Sequence, residues 1–411
     1  MDDAGAGCEA PIMAMELNSP VETPARQAAY TGILPYQAIR EMVQSGEIKS
    51  AQILKSIEAD QIQPASIDLR LGEFAYPVDT SFLPGRGTKV LDKMRQLDAD
   101  SERFKIDLRQ GAVLEKGRVY VVPLLESIKL KSEVAAFANP KSSTGRLDIL
   151  TRLIADEATH FDQVEDGYEG QLYIEIAPRS FSVVVRTGTR LNQLRFRRSV
   201  GVAPRQITNA DWKQLLDDGL IVGASDAEEQ TRLSERAGIL PFTVDLKGTG
   251  PDALIGWRAK KNTKRIDLDR RDYDPLDFWE PLRFHKEPVL ALVPDDFYIL
   301  MTKEAIAVPS EYAAEMVPYD TRAGEFRVHY AGFFDPGFGW SAANKKAGSS
   351  RGVLEVRSHE VPFLLEHGQI VGWLRYEYMA ETPATLYGQA IKSNYQGQSL
   401  KLAKQFRETD L

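Results

Sequence analysis

Short runs of β-branched and aromatic residues, separated by turn formers, set the pattern of this chain. VYVVPL at 119–124, QLYIEI at 171–176, FSVVVR at 181–186 and LRFRR at 194–198 have strand length and strand composition. VLALVP, FYILMT, GVLEV and IVGWLRY repeat the style between residues 289 and 376. Helical spacing is rare. In YQAIREMVQSGEI at 36–48, Ile39, Met42 and Val43 fall on one face of a short amphipathic helix that ends near Gly46. NADWKQLLDDGLIV at 209–222 also reads as helical, with Trp212, Leu215 and Leu216 as its packing residues. Many short strands and few long helices predict a mainly β chain of sandwich or jelly-roll-like units.

The pattern occurs twice. PASIDLRLG at 64–72 is echoed by PFTVDLKGTG at 241–250, and GILP at 32–35 returns at 238–241. The offset is 177 from Asp68 to Asp245, 176 from Arg146 to Arg322, and 180 both from Glu175 to Glu355 and from Arg195 to Arg375. Near-constant spacing predicts a duplicated domain. Residues 1–29 mix Pro, Ala, Glu, Ser and Thr without periodicity and read as a mobile tail. The organisation expected is a first domain over 30–203, a helical linker over 204–237, a second domain over 238–386 and a C-terminal tail over 387–411.

Composition narrows the function classes. With 411 residues, 43% hydrophobic and 27% charged, the chain is an ordinary globular sequence able to bury sizeable cores. A net charge of −8 argues against broad attachment to nucleic acid, so a phosphate ligand would need a focused basic site. Cys8 is the single cysteine, which leaves no intramolecular disulfide and no cysteine-based zinc site. The sequence shows neither a signal-peptide pattern nor a run of membrane-spanning length. We expect a cytoplasmic protein without membrane or nucleic-acid partners.

Three segments carry candidate chemistry. KSSTGR at 141–146 gathers Lys141, Ser142, Ser143 and Arg146, donors that suit the oxygens of a phosphate chain; the same run also suits a solvated turn. In AGFFDPGFG at 331–339, glycines permit close backbone approach, Asp335 and Pro336 shape a turn, and Phe334 and Phe338 offer flat apolar surface. That loop reads either as a seat for a base or sugar or as a hairpin with aromatic core anchors. Glu355 alternates with Leu354 and Val356 along a strand, so it is exposed if one sheet face is solvated. If both faces are covered it is a buried acid that needs a partner, and Arg322 and Arg146 are the candidates.

Together these segments resemble the deoxycytidine triphosphate deaminases of the dUTPase-like superfamily. The resemblance rests on QPASIDLRLG at 63–72, SSTGR at 142–146, AGFFDPGF at 331–338, VLEV at 353–356 and NYQGQ at 394–398, and covers about residues 32–200 and 238–400. It implies two tandem dUTPase-like β-sandwich domains with short helices. It also implies nucleotide contacts from Lys141, Ser142, Ser143, Arg146, Ala331, Gly332, Phe333, Asp335, Phe338, Lys392, Tyr395, Gln396 and Gln398. Catalytic roles would fall to Glu355, Arg322, Arg146 and Ser142, with Mg²⁺ carried on the triphosphate. The homo-oligomer it implies is commonly threefold.

The copies depart from the family in opposite ways. In the first, FDQVEDGYEG at 161–170 replaces the glycine loop, with Phe161 where the second copy has Ala331. In the second, PYDTR at 318–322 keeps the arginine and lacks the serine pair, and Asn394 stands where the family has lysine. These losses predict one composite site, with the serine element from the first copy and the glycine loop and Glu355 from the second, meeting either within one chain or across chains. The implied reaction is hydrolytic loss of the 4-amino group of dCTP, giving dUTP and ammonia, with Glu355 as proton carrier. Zinc deaminases need His and Cys ligands, and the five histidines here are scattered. The alternatives are a dUTP diphosphatase that uses Asp335, a bifunctional enzyme, and a non-catalytic nucleotide-binding regulator.

Overall fold

The computed structural model describes residues 31–50, 56–100, 102–201, 207–208, 210–211, 215, 221–222, 239–249, 253–317, 326–329, 332–341, 346–347, 350–358, 361–388 and 400–408. The 1–29 tail, most of the 204–237 linker, Arg322, Ala331, Lys392, Tyr395, Gln396 and Gln398 lie outside these residues.

The duplication is visible strand by strand. In the first half Gly32–Ile33, Arg190–Arg198, Val134–Pro140 and Gln163–Val164 lie side by side in that order, and Ile239–Thr243, Ile370–Tyr378, Tyr312–Val317 and Phe333–Phe334 repeat it in the second. A second sheet runs Phe74–Val78, Val119–Lys129, Glu169–Pro178, Ile149–Ala155; its counterpart runs Leu254–Ala259, Phe297–Ile306, Arg351–Ser358, Phe326–His329. The fold is therefore mainly β, two sandwiches in tandem. Helices are short: the amphipathic one stops at Gln44, where Gly46 takes a left-handed backbone, and Ile48–Ser50 pairs as a strand instead. The end of the 209–222 stretch is likewise a strand, Ile221–Val222, which pairs with Ile306 and Ala305.

Alternation along the strands builds the two cores. In the first half Val122, Leu124, Leu153, Ile174 and Ile176 pack in one cluster with Ala136, Ala138, Leu194 and Phe196. Burying each large apolar side chain is worth about 1.5–3 kcal/mol. This core does not stop at the half boundary. It continues into Trp257, Phe278, Trp279 and Phe297 of the second half and into Leu402, Ala403 and Phe406 near the C-terminus. Phe406 lies 5.5 Å from Phe278, and Phe181 of the first half lies 5.3 Å from Trp279, both edge-on. The last described part of the tail is thus a packed strap, where the sequence predicts a nucleotide-closing tail throughout.

Polar contacts fix the mutual placement of the halves. Val183 and Val184 pair in parallel with Ile266 and Asp267, and Arg186 reaches Asp267 at 2.7 Å and Asp269 at 2.8 Å. The amide of Ala380 donates to the carbonyl of Ile33 at 2.8 Å, and Arg197 pairs with Glu377. No helix among the described residues is long and apolar enough to cross a membrane.

Candidate active site between the two halves

Pro140 ends a strand, and the next residues turn once as the helix Ser142–Gly145. The turn is locked from within. The amides of Thr144 and Gly145 donate to the Lys141 carbonyl at 2.8 and 3.1 Å, and the Thr144 hydroxyl donates to the Leu191 carbonyl at 2.8 Å. Asp148 leaves the turn with φ 55°, its amide bonded to the Gly145 carbonyl at 2.8 Å. Ser143, Thr144 and Arg146 are buried, and Lys141 pairs with the buried carboxylate of Asp68.

Arg146 faces the second half. Its Nη1 donates to the Lys401 carbonyl at 2.7 Å, and its positive charge acts on Glu355. Glu355, Leu354 and Val356 are all buried, so both faces of the strand are covered and the exposed-acid reading is set aside. Glu355 makes no ion pair among the described residues. Burial raises its carboxyl to about 8, against the pull of the Arg146 guanidinium and its own backbone amide. Of the two arginines named as its partners, Arg146 is the one the described residues bring to it, from the opposite half of the same chain. Two residues further on, Arg357 crosses to pair with Asp148, which also accepts from the Ser180 hydroxyl at 2.6 Å. Asp148 and Arg357 are both buried, and Arg357 Nη1 also donates to the Asp295 carbonyl.

The glycine loop packs in its own half at the end of the Phe297–Ile306 strand, the neighbour of the Glu355 strand. Gly339 has φ 60°, and a Cβ there would lie 2.0 Å from the Ile306 carbonyl oxygen, so only glycine fits. Phe338 is buried in the second core, 5.0 Å from Phe334 and 5.6 Å from Tyr387. Its ring anchors the loop, where the resemblance implies a nucleotide contact. Phe333 lies under the Arg195 guanidinium at 3.9 Å, and Asp335 pairs with the same arginine at 3.0 Å. Burial raises the Asp335 carboxyl, with Arg195 opposing. Gly332 is present at the head of the loop, its carbonyl accepting from the Met316 amide at 3.1 Å.

Sequence reasoning singled out Arg195 only as a repeat landmark, although it supports the loop across the half boundary. Asp148 and Arg357 were not singled out at all. The sequence carries no signal for the role of Arg195, since both copies have an arginine at the position and only the structure shows Arg195 buried and its twin Arg375 exposed. The first-half twin of the acid is also instructive. Glu175 pairs with Arg152 at 2.5 Å, and Phe161 covers that guanidinium at 3.9 Å.

Two models of one family match, 2'-deoxycytidine 5'-triphosphate deaminase (DCD) N-terminal domain over residues 30–200 and its C-terminal domain over residues 208–406. A solved 2'-deoxycytidine 5'-triphosphate deaminase from Agrobacterium tumefaciens shares 49% identity with a TM-score of 0.76, over 86% of this chain and 99% of that one. A "dCTP deaminase, dUMP-forming" of Persephonella marina is 32% identical over 167 residues, 40% of this chain and 82% of that protein. A dCTP deaminase of Sulfurisphaera tokodaii is 28% identical over 169 residues, 41% of this chain and 80% of that protein. Matches to the shorter relatives span less than half of this chain, as a duplicated architecture requires. With both domain models matched in tandem and a nearly full-length counterpart among solved structures, the chain belongs to the 2'-deoxycytidine 5'-triphosphate deaminase family of enzymes.

Proposed function

We propose that this chain hydrolyses dCTP to dUTP and ammonia at a site shared by its two halves. The observation that carries the reading is the buried Glu355, raised to about 8 and opposed by Arg146 from the other half. A carboxyl tuned close to neutrality is suited to moving protons in both directions. In the proposed sequence, a water oxygen bonds to C4 of cytosine while ionised Glu355 takes the water proton and passes it to N3. Glu355 then moves the hydroxyl proton to the amine, C4 becomes a carbonyl, and the C4–N bond breaks to release ammonia. Arg146 and Ser142 supply donors to the charge that develops, and Lys141 and Ser143 hold phosphate oxygens. Arg322, Ala331, Lys392, Tyr395, Gln396 and Gln398 keep the nucleotide roles that the resemblance implies.

Mg²⁺ would arrive on the triphosphate. The donor set fits that role: the described residues contain no group of three or more His, Cys, Asp or Glu that could hold a metal, so the ion would draw on phosphate and water oxygens. Asp335, which a diphosphatase would use on water, is buried and held by Arg195. This supports dUTP as the product, while the dUMP-forming name of the Persephonella marina relative favours further hydrolysis as the second reading.

Incubation of the protein with dCTP and Mg²⁺, followed by assay of ammonia, dUTP, dUMP and pyrophosphate, tests both readings. Ammonia in step with dUTP supports the first, and pyrophosphate in step with ammonia supports the second. No ammonia would sink deamination altogether. Mixing Ser142→Ala chains with Glu355→Gln chains should restore no activity, because one chain carries both halves of the site.

A further inference from the structure

Beside the serine turn lies a cavity of about 240 Å³ whose walls come from three parts of the chain. Ser143, Thr144 and Arg190 belong to the first half, Asp269 and Arg271 to the second, and Lys404 to the C-terminal strap. At ~30 Å³ per water this is the room of about eight waters, enough for a short chain of phosphates. Its charges are not balanced. Arg190 is held by Glu58 at 2.5 Å and Asp60 at 2.9 Å, and Asp269 is held by Arg186 at 2.8 Å. Arg271 and Lys404 make no ion pair among the described residues. Lys404 is brought down to about 8 by burial first and then by Lys141, Arg271 and Arg190, with Asp68 alone opposing. Arg190, the exposed Arg271 and Lys404 line the cavity against the single carboxylate of Asp269, and an anion there would offset that excess of positive charge.

The cavity also lies on the expected path of the substrate. Arg146 closes the serine turn toward Glu355, whereas Ser143 and Thr144 of the same turn line the cavity. A nucleotide with its base at Glu355 would therefore run past the turn and bring its phosphates here. We propose that Arg271 and Lys404 grip the outer phosphates of the substrate and make the enzyme prefer a nucleoside triphosphate to the mono- or diphosphate. The proposal rests on the deaminase reading for the position of the base. Both residues fall within the matched C-terminal domain but in none of the motifs that carry the resemblance, and both come from the parts of the chain that the second copy adds to the serine element.

The test uses the full chain and two readouts. Calorimetry with inorganic tripolyphosphate should show at least a tenfold rise in Kd for Arg271→Gln and for Lys404→Gln, with Lys404→Arg close to the unmodified protein. Steady-state kinetics of the same variants should show KM for dCTP raised about tenfold, kcat within about twofold, and the preference for dCTP over dCMP reduced. Arg407→Gln is the control for the strap, since Arg407 is exposed and pairs with Asp274 at 2.8 Å away from the cavity. The proposal is overturned if the double variant keeps its tripolyphosphate affinity and its KM, or if Arg407→Gln weakens that affinity and raises KM to the same extent. Should the protein bind tripolyphosphate through these residues and yet release no ammonia from dCTP, the anion site stands and deamination falls.

Discussion

Glu175 and Glu355 hold the same place in the two halves and have been given opposite surroundings. The strand register sets Arg152 opposite Glu175, where it forms an ion pair under the ring of Phe161. The same register sets His329 opposite Glu355, and burial raises that acid to about 8. The loops differ too. Glu165 takes the strand position of Asp335, ten residues before Glu175, whereas Asp335 stands twenty before Glu355. The second half gained the longer loop and kept a carboxyl able to exchange a proton. The first half filled the equivalent space with its own side chains. Duplication thus separated two jobs that a single copy must perform at once.

The way the halves dock follows the same asymmetry. Arg357, two residues after Glu355, meets Asp148, two residues after Arg146. At the repeat offsets their twins are Ala177 and Gly324, which cannot form such a pair. The ion pair therefore favours the arrangement that places Arg146 before Glu355 over the reverse one.

The sharpest way to break the comparison is to neutralise the two acids in turn. Glu355→Gln should lower kcat by about 10²- to 10⁴-fold, the usual worth of a positioned proton carrier, while Glu175→Gln should keep activity within about threefold. Equal losses in an ammonia-release assay would end the distinction. Next in size is the docking pair. Arg357→Met takes the paired cation from the buried Asp148 and should cost about 3–5 kcal/mol in urea unfolding, and Asp148→Asn in addition should recover most of it.

The pH response tests Glu355 directly. Folded Glu355 keeps its proton up to about pH 8, while the unfolded chain releases it near the ordinary 4.5. Between those values the folded state binds more protons, so stability falls as pH rises. Glu355→Gln removes that loss and should be the more stable protein at pH 9, by on the order of 4 kcal/mol, with no such gain at pH 4. The kcat/KM of the unmodified enzyme should rise with pH toward 8, since the ionised form takes the first proton. The smallest effect concerns Arg152, whose side chain is 30% exposed. Arg152→Met should cost about 1–2 kcal/mol after allowance for solvent screening, and Glu175→Gln in the same chain should restore it.

Much of this was readable before any coordinates. Strand-length runs such as VYVVPL and QLYIEI announce themselves through β-branched residues, and the paired landmarks reveal the duplication. Arg146 could be named from the sequence as one of two candidate partners of Glu355, with Arg322 as the other. The link between Glu175 and Arg152 could not, because it depends on which residues lie opposite across two strands. Asp335 and its partner Arg195 stand 140 residues apart, and Arg271 and Lys404 stand 133 apart, so only the packing of the halves brings them together. Phe338 shows a different limit: a ring in a glycine loop suits a ligand or a core equally well until its neighbours are known.

The parallel pairing of Val183 and Val184 with Ile266 and Asp267 carries a cost for anyone who would divide the molecule. The second half lends the first a border strand, and severing them would bare unsatisfied amides and carbonyls along with the aromatic seam around Trp279. Expressed alone, either half should aggregate, which would oblige evolution to keep the duplicated gene fused.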